Sequence, residues 1–233
     1  MQELTVALLQ PVYPTNVGYV ARVMKNFGLQ KLVLADPKAD VKEAMKFASH
    51  GSQILEEATI LSLKQLFRKY ELIIGTTAIP AKRSSNLPRS VITPADLAEQ
   101  STQLTRDTCL LLGRDTTGLT RSELDQCDLI VQIPTGTDYE TLNVSHALAI
   151  ILYELSKAKQ ARTVKKASKI QRERLVDLAT HLAKMARVQR HKINQLRAGF
   201  RKMLGRSFIT EREAYLLMGL LRKSASALEG LGR

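Results

Sequence analysis

Short apolar runs alternate with stretches of helical periodicity through the first two thirds of the chain. Alternation of this kind predicts an α/β fold with a mainly parallel sheet and helices on both faces. Ligands of such sheets lie outside the carboxyl ends of the strands, so the loops after the strands are the first candidates for a site. The predicted strands cover Leu4–Leu9, Lys31–Ala35, a short part of Gln53–Ile60, Leu72–Gly75, Cys109–Leu112 and Leu129–Ile133.

The segments between the predicted strands carry apolar residues at the three- and four-residue spacing of amphipathic helices. Thr15 or Asn16 is the expected cap of the first helix, which runs to about Phe27 and is ended by Gly28. Further helices are predicted at about Lys42–Ser49, Leu61–Tyr70, Pro94–Leu104 and Thr120–Gln126, and a loop at Thr76–Ser90.

The stretch Ile133–Glu154 joins the end of a strand to a polar turn and then to a helix that begins near Ser145. A junction of this type presents unpaired backbone N–H groups to whatever lies in front of it. Two interpretations are open: Asn143 or Ser145 only caps the helix, or the turn also holds a ligand. The second requires agreement from other loops after strands, and Gly75–Ala78 and Leu112–Arg114 are the candidates.

Positive charge is concentrated in one part of the chain. The formal net charge is +13, from 35 Lys and Arg against 22 Asp and Glu. Residues 157–206 contain sixteen Lys or Arg and two acids, a net of +14, so the remainder is about neutral. This imbalance favours a polyanionic partner, nucleic acid before a membrane surface. The alternative is a solvated helical face.

The basic region also lacks strand-like runs, which places a domain boundary near Ser156–Ser168. We therefore predict one domain over residues 1–159, followed by a basic, all-helical extension over residues 160–233. Within the extension, one long or broken helix is predicted over Ala167–Leu204 and another over Thr210–Ser226.

Several common sites are excluded by motifs that the sequence lacks. Gly113–Thr120 resembles a phosphate-binding loop, but Leu119 stands where that loop needs Lys, which argues against a nucleotide triphosphatase. Neither the dinucleotide-binding G-x-G-x-x-G pattern nor the G-x-S-x-G nucleophile elbow occurs. No metal site is expected, because no histidine shows paired ligand spacing; the histidines are His50, His146, His181 and His191.

The expected setting of the chain is cytosolic and reducing. Cys109 and Cys127 follow no metal-ligand spacing and need not pair. No apolar run is long enough to cross a bilayer, and the N-terminus lacks the basic n-region and cleavage site of a signal peptide. We therefore expect a cytoplasmic protein without a membrane partner.

Four motifs occur together in the chain order that is typical of one family. N-x-G-x-x-A-R is matched within Asn16–Arg22, G-T-S/T-A at Gly75–Ala78, and G-R/P-E-x-x-G-L within Gly113–Leu119. The fourth motif, S-L-N-L-S-x-A, is matched within Leu142–Ala147. The combination resembles the SPOUT class of S-adenosylmethionine-dependent RNA methyltransferases, within it the TrmH-like family, and most closely the TrmJ type of tRNA ribose methyltransferase. The resemblance covers roughly residues 1–155.

The resemblance implies a tRNA ribose 2′-O-methyltransferase that acts at nucleotide 32 of the anticodon loop. It also implies binding of S-adenosylmethionine, a deep trefoil knot at the end of the first domain, and a homodimer whose sites are completed across the interface. The basic extension would then bind tRNA phosphates. The alternatives are methylation of ribosomal RNA by the same chemistry, and an RNA-binding protein that keeps the fold without catalysis.

The residues that match the motifs form the site that the resemblance implies. Arg22 is expected to clamp an RNA phosphate or to stabilise the developing alkoxide, because a guanidinium stays protonated. A plain surface arginine is the alternative. The other expected catalytic residues are Asn16, Thr141 and Asn143. The cofactor is expected to be held by groups of Thr76, Thr77, Ala78, Leu112, Gly113, Arg114, Ile133, Leu142 and Asn143.

Three positions depart from the motifs of the family. Asp115 replaces the usual Glu, Thr141 replaces Ser, and Ile79 replaces the Arg that usually follows the G-T-S/T-A loop. The extra methyl group of Thr141 affects the rotamer and reach of its hydroxyl. The replacement of Arg by Ile79 is expected to change either the contact with RNA or the choice of substrate.

Overall fold

The computed structural model describes residues 4–78, 91–100, 104, 107–157 and 165–231. They fall into two compact units, one containing the described residues up to 157 and the other containing residues 165–231. Ile79 and most of the predicted loop Thr76–Ser90 lie outside the described residues.

The first unit is built on a seven-stranded sheet in which every pairing between described strands is parallel. The strands are β1 (Thr5–Leu9), β2 (Leu32–Ala35), β3 (Thr59–Leu61), β4 (Leu72–Thr76), β5 (Val91–Ile92), β6 (Thr108–Leu112) and β7 (Leu129–Val131). Their order across the sheet is β3-β2-β1-β6-β4-β7-β5. The predicted parallel sheet is therefore confirmed. Strand β5 was not predicted, because a strand of two residues is too short to show a period.

Helices separate the strands, as the alternation predicts. They are α1 (Pro14–Asn26), α2 (Val41–Ala48), α3 (Ser52–Glu56), α4 (Leu63–Lys69), α5 (Pro94–Glu99), α6 (Arg121–Leu124) and α7 (Val144–Ser156). In the segment Gln53–Ile60, where a short strand was predicted, the first part is helix α3 and the strand begins only at Thr59. The predicted short strand is thus present at the end of the segment, but its position could not be predicted, because a short apolar run such as Ile54–Leu55 does not distinguish helix from strand.

Apolar side chains cover both faces of the sheet. On one face, Ala7 and Ile73 pack in a cluster with Leu66 of α4. Their strand neighbours Leu8 and Ile74 are also buried, and successive strand residues point to opposite faces, so the second face is covered as well. Helices α1 and α7 pack against each other and bury the apolar sides that the helical periodicity predicts.

Helix α1 begins at Pro14, before the predicted cap. Tyr13 occupies the N-cap position and makes no side-chain capping bond. Proline suits the first helical position because its missing N–H would be unpaired there in any case. The prediction of Thr15 or Asn16 as the cap is therefore wrong, and the Asn16 side chain bonds to other loops instead.

The second unit consists, in its described residues, of α8 (Lys169–Met185), α9 (Arg190–Ser207) and α10 (Glu211–Leu231). The segment predicted as one long or broken helix is thus two helices, and Arg187 in the turn between them has a φ of 56°. Leu175, Leu204 and Met218, one from each helix, share a small apolar core. No helix in the described part of the chain combines the length and apolar character that a membrane span needs.

Candidate functional site

A cavity of about 290 Å³ opens at the carboxyl ends of β4, β6 and β7. Its wall includes Thr76–Ala78 at the end of β4, Leu112–Leu119 at the end of β6, and Ile133 with Glu140–Leu142 after β7. The cavity therefore lies where ligands bind in parallel sheets, and it brings together the three loops that the sequence singles out.

Eight of the nine residues predicted to hold the cofactor line this cavity, and they are Thr76, Thr77, Ala78, Leu112, Gly113, Arg114, Ile133 and Leu142. The ninth, Asn143, is the N-cap of α7, where its side chain accepts a hydrogen bond from the Ser145 N–H at 2.9 Å. Thr141, predicted to be catalytic, also lines the cavity. Contact of these residues with a cofactor stays a prediction.

The carboxylate of Asp115 joins the loop after β6 to the start of α1. It accepts hydrogen bonds from the backbone N–H groups of Val12 at 2.9 Å and Tyr13 at 3.2 Å. It also accepts one from Nδ2 of Asn16 at 2.7 Å. Asp115 thus binds N–H groups at the start of α1, where the helix has no side-chain cap of its own.

The amide of Asn143 continues this connection to the start of α7. Its Nδ2 donates to Oδ1 of Asn16 at 2.9 Å. Its Oδ1 accepts from the backbone N–H of Ser145 at 2.9 Å and from the Ser145 hydroxyl at 2.8 Å. A polar chain of Asp115, Asn16, Asn143 and Ser145 therefore links residues of three sequence motifs. Asn143 is a helix cap, as one interpretation held, and it also bonds to the first turn of the distant helix α1.

The loop after β6 closes on itself in a way that requires glycine. Arg114 and Gly118 exchange backbone hydrogen bonds of 3.3 and 3.0 Å. A Cβ atom at Gly113 would lie 2.4 Å from the carbonyl carbon of Gly118. Gly118 itself has a φ of +66°, which is unfavourable for residues with a Cβ atom. The two glycines of this motif therefore shape the cavity wall through the backbone.

The side chain of Arg114 anchors the same loop to α6. It makes a bidentate ion pair with Glu123, with N···O distances of 3.0 and 2.8 Å, and its Nε donates to Oε1 of Gln10 at 2.8 Å. Glu123 is 8% exposed and also accepts from the Thr120 N–H at 2.7 Å. The pKa of Glu123 is lowered, chiefly by the Arg114 hydrogen bonds. The guanidinium of Arg114 is thus engaged in structure, and its backbone N–H and C=O are paired with Gly118 as well.

Arg22 and Asn16 are not in the wall of the cavity. Arg22 is exposed near the middle of α1, and its side chain makes no hydrogen bond or ion pair with any residue that the structure describes. Asn16 uses its amide on Asp115 and Asn143. The geometry therefore separates the predicted catalytic set into Thr141 at the cavity, the amides beside it, and an outward-facing arginine.

Ten further cavity residues were not predicted as site residues, and they are Asp115, Thr116, Thr117, Gly118, Leu119, Val131, Glu140, Val144, Ala147 and Ile151. Ala147 and Ile151 are one helical turn apart on α7, and their spacing reads equally well as core. Glu140 accepts a hydrogen bond from Nε2 of Gln132 at 3.4 Å. Among the described residues, no three His, Cys, Asp or Glu side chains are grouped as a metal site would require.

Comparison with known proteins decides the family. The sequence model of the SpoU rRNA Methylase family matches residues 3–153, which include the sheet and all the cavity loops. The chain belongs to the SpoU rRNA methylase family. The TrmH-like, TrmJ-type resemblance and the RNA ribose methyltransferase class predicted from the motifs are confirmed by this match and by the relatives.

Relatives of this SpoU family member include proteins that align over nearly their whole length. The tRNA (cytidine-2′-O-)-methyltransferase TrmJ of Methanocaldococcus jannaschii is 32% identical over 227 residues, which cover 94% of this chain and 98% of that protein. The enzyme of the same name from Sulfolobus acidocaldarius is 34% identical over 156 residues, 65% of this chain and 64% of that one. The crystal structure of TrmJ from Z. mobilis ZM4 superposes with a TM-score of 0.70 at 21% identity, covering 94% and 97% of the two chains.

The buried Arg114–Glu123 pair predicts a specific pH dependence of stability. Because the folded-state pKa of Glu123 lies below its usual value of 4.5, its contribution is fully present above that value and is lost as pH falls through the lowered pKa. Glu123→Gln should reduce the free energy of unfolding at pH 7 and flatten its decline towards pH 3.5. Urea denaturation across this range measures both. Parallel pH profiles for the two proteins would contradict the assignment.

Proposed function

We propose that this protein transfers a methyl group from S-adenosylmethionine to a ribose 2′-hydroxyl of tRNA. The observation that carries the proposal is the cavity at the carboxyl ends of β4, β6 and β7, lined by three of the methyltransferase motifs and tied to the fourth through Asp115 and Asn16. The full-length alignment with a relative named as a tRNA 2′-O-methyltransferase supports tRNA as the substrate.

The cavity has the chemistry that S-adenosylmethionine requires. Leu112, Leu119 and Ile151 offer apolar surface for the adenine ring, and the backbone of Thr76–Ala78 offers polar groups at a strand end. The Glu140 carboxylate suits a ligand that carries an ammonium and a sulfonium. At about 290 Å³ the space is near the lower end of the usual range for ligand pockets, about 300 Å³ upward. When bound, the cofactor supplies an electrophilic methyl group whose leaving group is neutral.

The chain's own residues then have to position a ribose and ease the loss of its proton. Thr141 lies at the cavity and offers a hydroxyl to the reacting face. Asn143, held by Asn16, fixes the end of the loop that carries Thr141. Arg22 remains protonated, so we assign it to an RNA phosphate or to the developing alkoxide rather than to the role of base. Orientation of this kind supplies a large part of such rate enhancements.

A second copy of the chain would explain the outward position of Arg22. Large apolar side chains are exposed at the start of α1, on α1 and on α7: Tyr13 is 50% exposed, Tyr19 42%, Ile150 37% and Tyr153 56%. If a dimer covers them together, they form the kind of exposed apolar patch that is typical of an interface. In a homodimer built on this patch, Arg22 of one protomer would serve the cavity of its partner. The family resemblance further leads us to propose a trefoil knot formed by the chain after β6 and β7.

We also propose which nucleotide of the tRNA is methylated. The TrmJ-type motif set favours nucleotide 32 of the anticodon loop, and the basic unit α8–α10 would supply phosphate contacts. Ribosomal RNA is the rival substrate, and the description of the matching family names it. The alternative from a different functional class is an RNA-binding protein that keeps the fold but does not catalyse methyl transfer. Thr141, which stands where the family motif has Ser, keeps this alternative open.

Nucleoside mass spectrometry tests the proposal. tRNA and ribosomal RNA from cells lacking 2′-O-methylation are incubated with the full chain and isotope-labelled S-adenosylmethionine, then digested to nucleosides. We expect label in a 2′-O-methylnucleoside from tRNA, which fragment analysis assigns to the anticodon loop. Label in ribosomal RNA alone would select the rival substrate. Binding of tRNA without any transfer would select the binding-only alternative.

Arg22→Ala should abolish most methyl transfer while leaving affinity for S-adenosylhomocysteine near wild type, because Arg22 does not line the cavity. Loss of one charge-stabilising group typically costs about 10²- to 10³-fold in rate. Arg22→Lys should also have low methyl-transfer activity, since the single ammonium group of lysine cannot replace the planar, bidentate guanidinium of arginine. Lys25→Ala removes another exposed cation of α1 and serves as the matched control. Full activity of Arg22→Ala would contradict the assignment.

A further inference from the structure

The basic unit does not present its charge evenly. Its acidic residues occur at the two ends of the sequence: none occurs between Asp177 and Glu211. Four of them are engaged within the unit, as Glu173 with Arg201 at 2.7 Å, Asp177 with Arg197 at 2.9 Å, Glu211 with Lys165 at 2.7 Å, and Glu213 with the Thr210 N–H at 2.6 Å. Part of the positive charge is therefore neutralised by structural ion pairs, and those cations are poor candidates for binding a partner.

The cations around the turn between α8 and α9, in contrast, are not paired with acidic residues that the structure describes. Lys184, Arg187, Arg190 and Lys192 are all exposed, and we call these four residues the corner patch. None of them forms an ion pair with an acid in the part of the chain that the structure describes. The corner patch is thus a group of exposed positive charges, close in sequence, without acidic partners among the described residues.

The backbone of the corner favours glycine, yet the sequence places arginine there. Arg187 has a φ of 56°, and its N–H donates to the Lys184 carbonyl at 3.0 Å. The Val188 N–H donates to the Ala183 carbonyl at 3.0 Å. These two bonds end α8 in a Schellman motif, whose left-handed position is usually glycine. A residue with a Cβ atom is less stable there, so this position carries a cation at the expense of local stability.

The first turn of α9 shows a second conflict with local preference. Helix N-termini are stabilised by acidic side chains and by capping side chains. In α9 the first turn contains no acid, Gln189 makes no side-chain capping bond, and Arg190 and Lys192 add positive charge at the positive end of the helix dipole. Local choices that oppose stability in this way are typical of sites kept for function.

We propose that the corner patch is the surface through which the basic unit contacts the phosphate backbone of its RNA substrate. The inference rests on the proposed function and specifies which part of the unit binds. Residues 178–199 contain no Phe, Tyr or Trp, so the corner offers charge without a stacking platform. Its contacts therefore go to phosphates, which position an RNA without reading its bases.

Two charge-matched triple variants of the full chain test this. The corner triple is Lys184→Gln, Arg187→Gly and Arg190→Gln. The control triple is Arg212→Gln, Arg222→Gln and Lys223→Gln, which removes three exposed cations from α10. We expect the corner triple to lose about 10-fold or more in tRNA affinity at moderate salt and to lower the salt slope, because each phosphate contact contributes about 0.7 to 0.9 to that slope. The control should change both much less.

The single variant Arg187→Gly separates binding from folding. Glycine suits the backbone of this position better, so we expect an equal or higher melting temperature together with weaker tRNA binding. In the methyl-transfer assay the loss should fall on KM for tRNA and leave kcat nearly unchanged. Unchanged tRNA affinity in this variant and equal losses in the two triples would overturn the inference while leaving the proposed function intact. Failure of the wild-type protein to bind tRNA would overturn both.

Discussion

The carboxylate of Asp115 is the interaction on which the arrangement of the site depends. It accepts hydrogen bonds from two backbone N–H groups at the start of α1 and from the amide of Asn16. Bonds to an ionised acceptor are stronger than neutral ones, and here they join segments about a hundred residues apart in the chain. Through Asn16 the same connection reaches Asn143 and fixes where α7 begins. Three of the four motifs are therefore coupled through direct hydrogen bonds.

Close packing holds α1 in the position that this connection needs. A Cβ atom at Gly18 would lie 2.5 Å from the Ala44 carbonyl oxygen and 2.6 Å from Cβ of Phe47, so only glycine lets α2 approach so closely. The helix is thus fixed by backbone contact along one side and by Asp115 at its start. Arg22 projects from a rigid support, which suits a residue that must meet a substrate at a defined place.

The sheet and the cavity loops could be predicted from sequence because each depends on a local pattern. Buried runs of four to six residues gave most of the strands, and the loops after β4, β6 and β7 do line one cavity. The partners of Asp115 could not be predicted, because hydrogen bonds between distant loops leave no periodic signal. The break between α8 and α9 has no Gly or Pro to mark it: Arg187 takes the left-handed conformation instead.

The hydrogen bond between Asn16 and Asn143 should make the two side chains act together in shaping the cavity where we propose that the cofactor binds. A double-mutant cycle tests it directly, with the affinity for S-adenosylhomocysteine measured by calorimetry for wild type, Asn16→Ala, Asn143→Ala and the double variant. We expect both single variants to bind more weakly than wild type and the double variant to be little worse than the weaker single variant. That pattern corresponds to a coupling of about 0.5–3 kcal/mol, as found for residues in contact. Strictly additive losses, or unchanged affinity in either single variant, would contradict it.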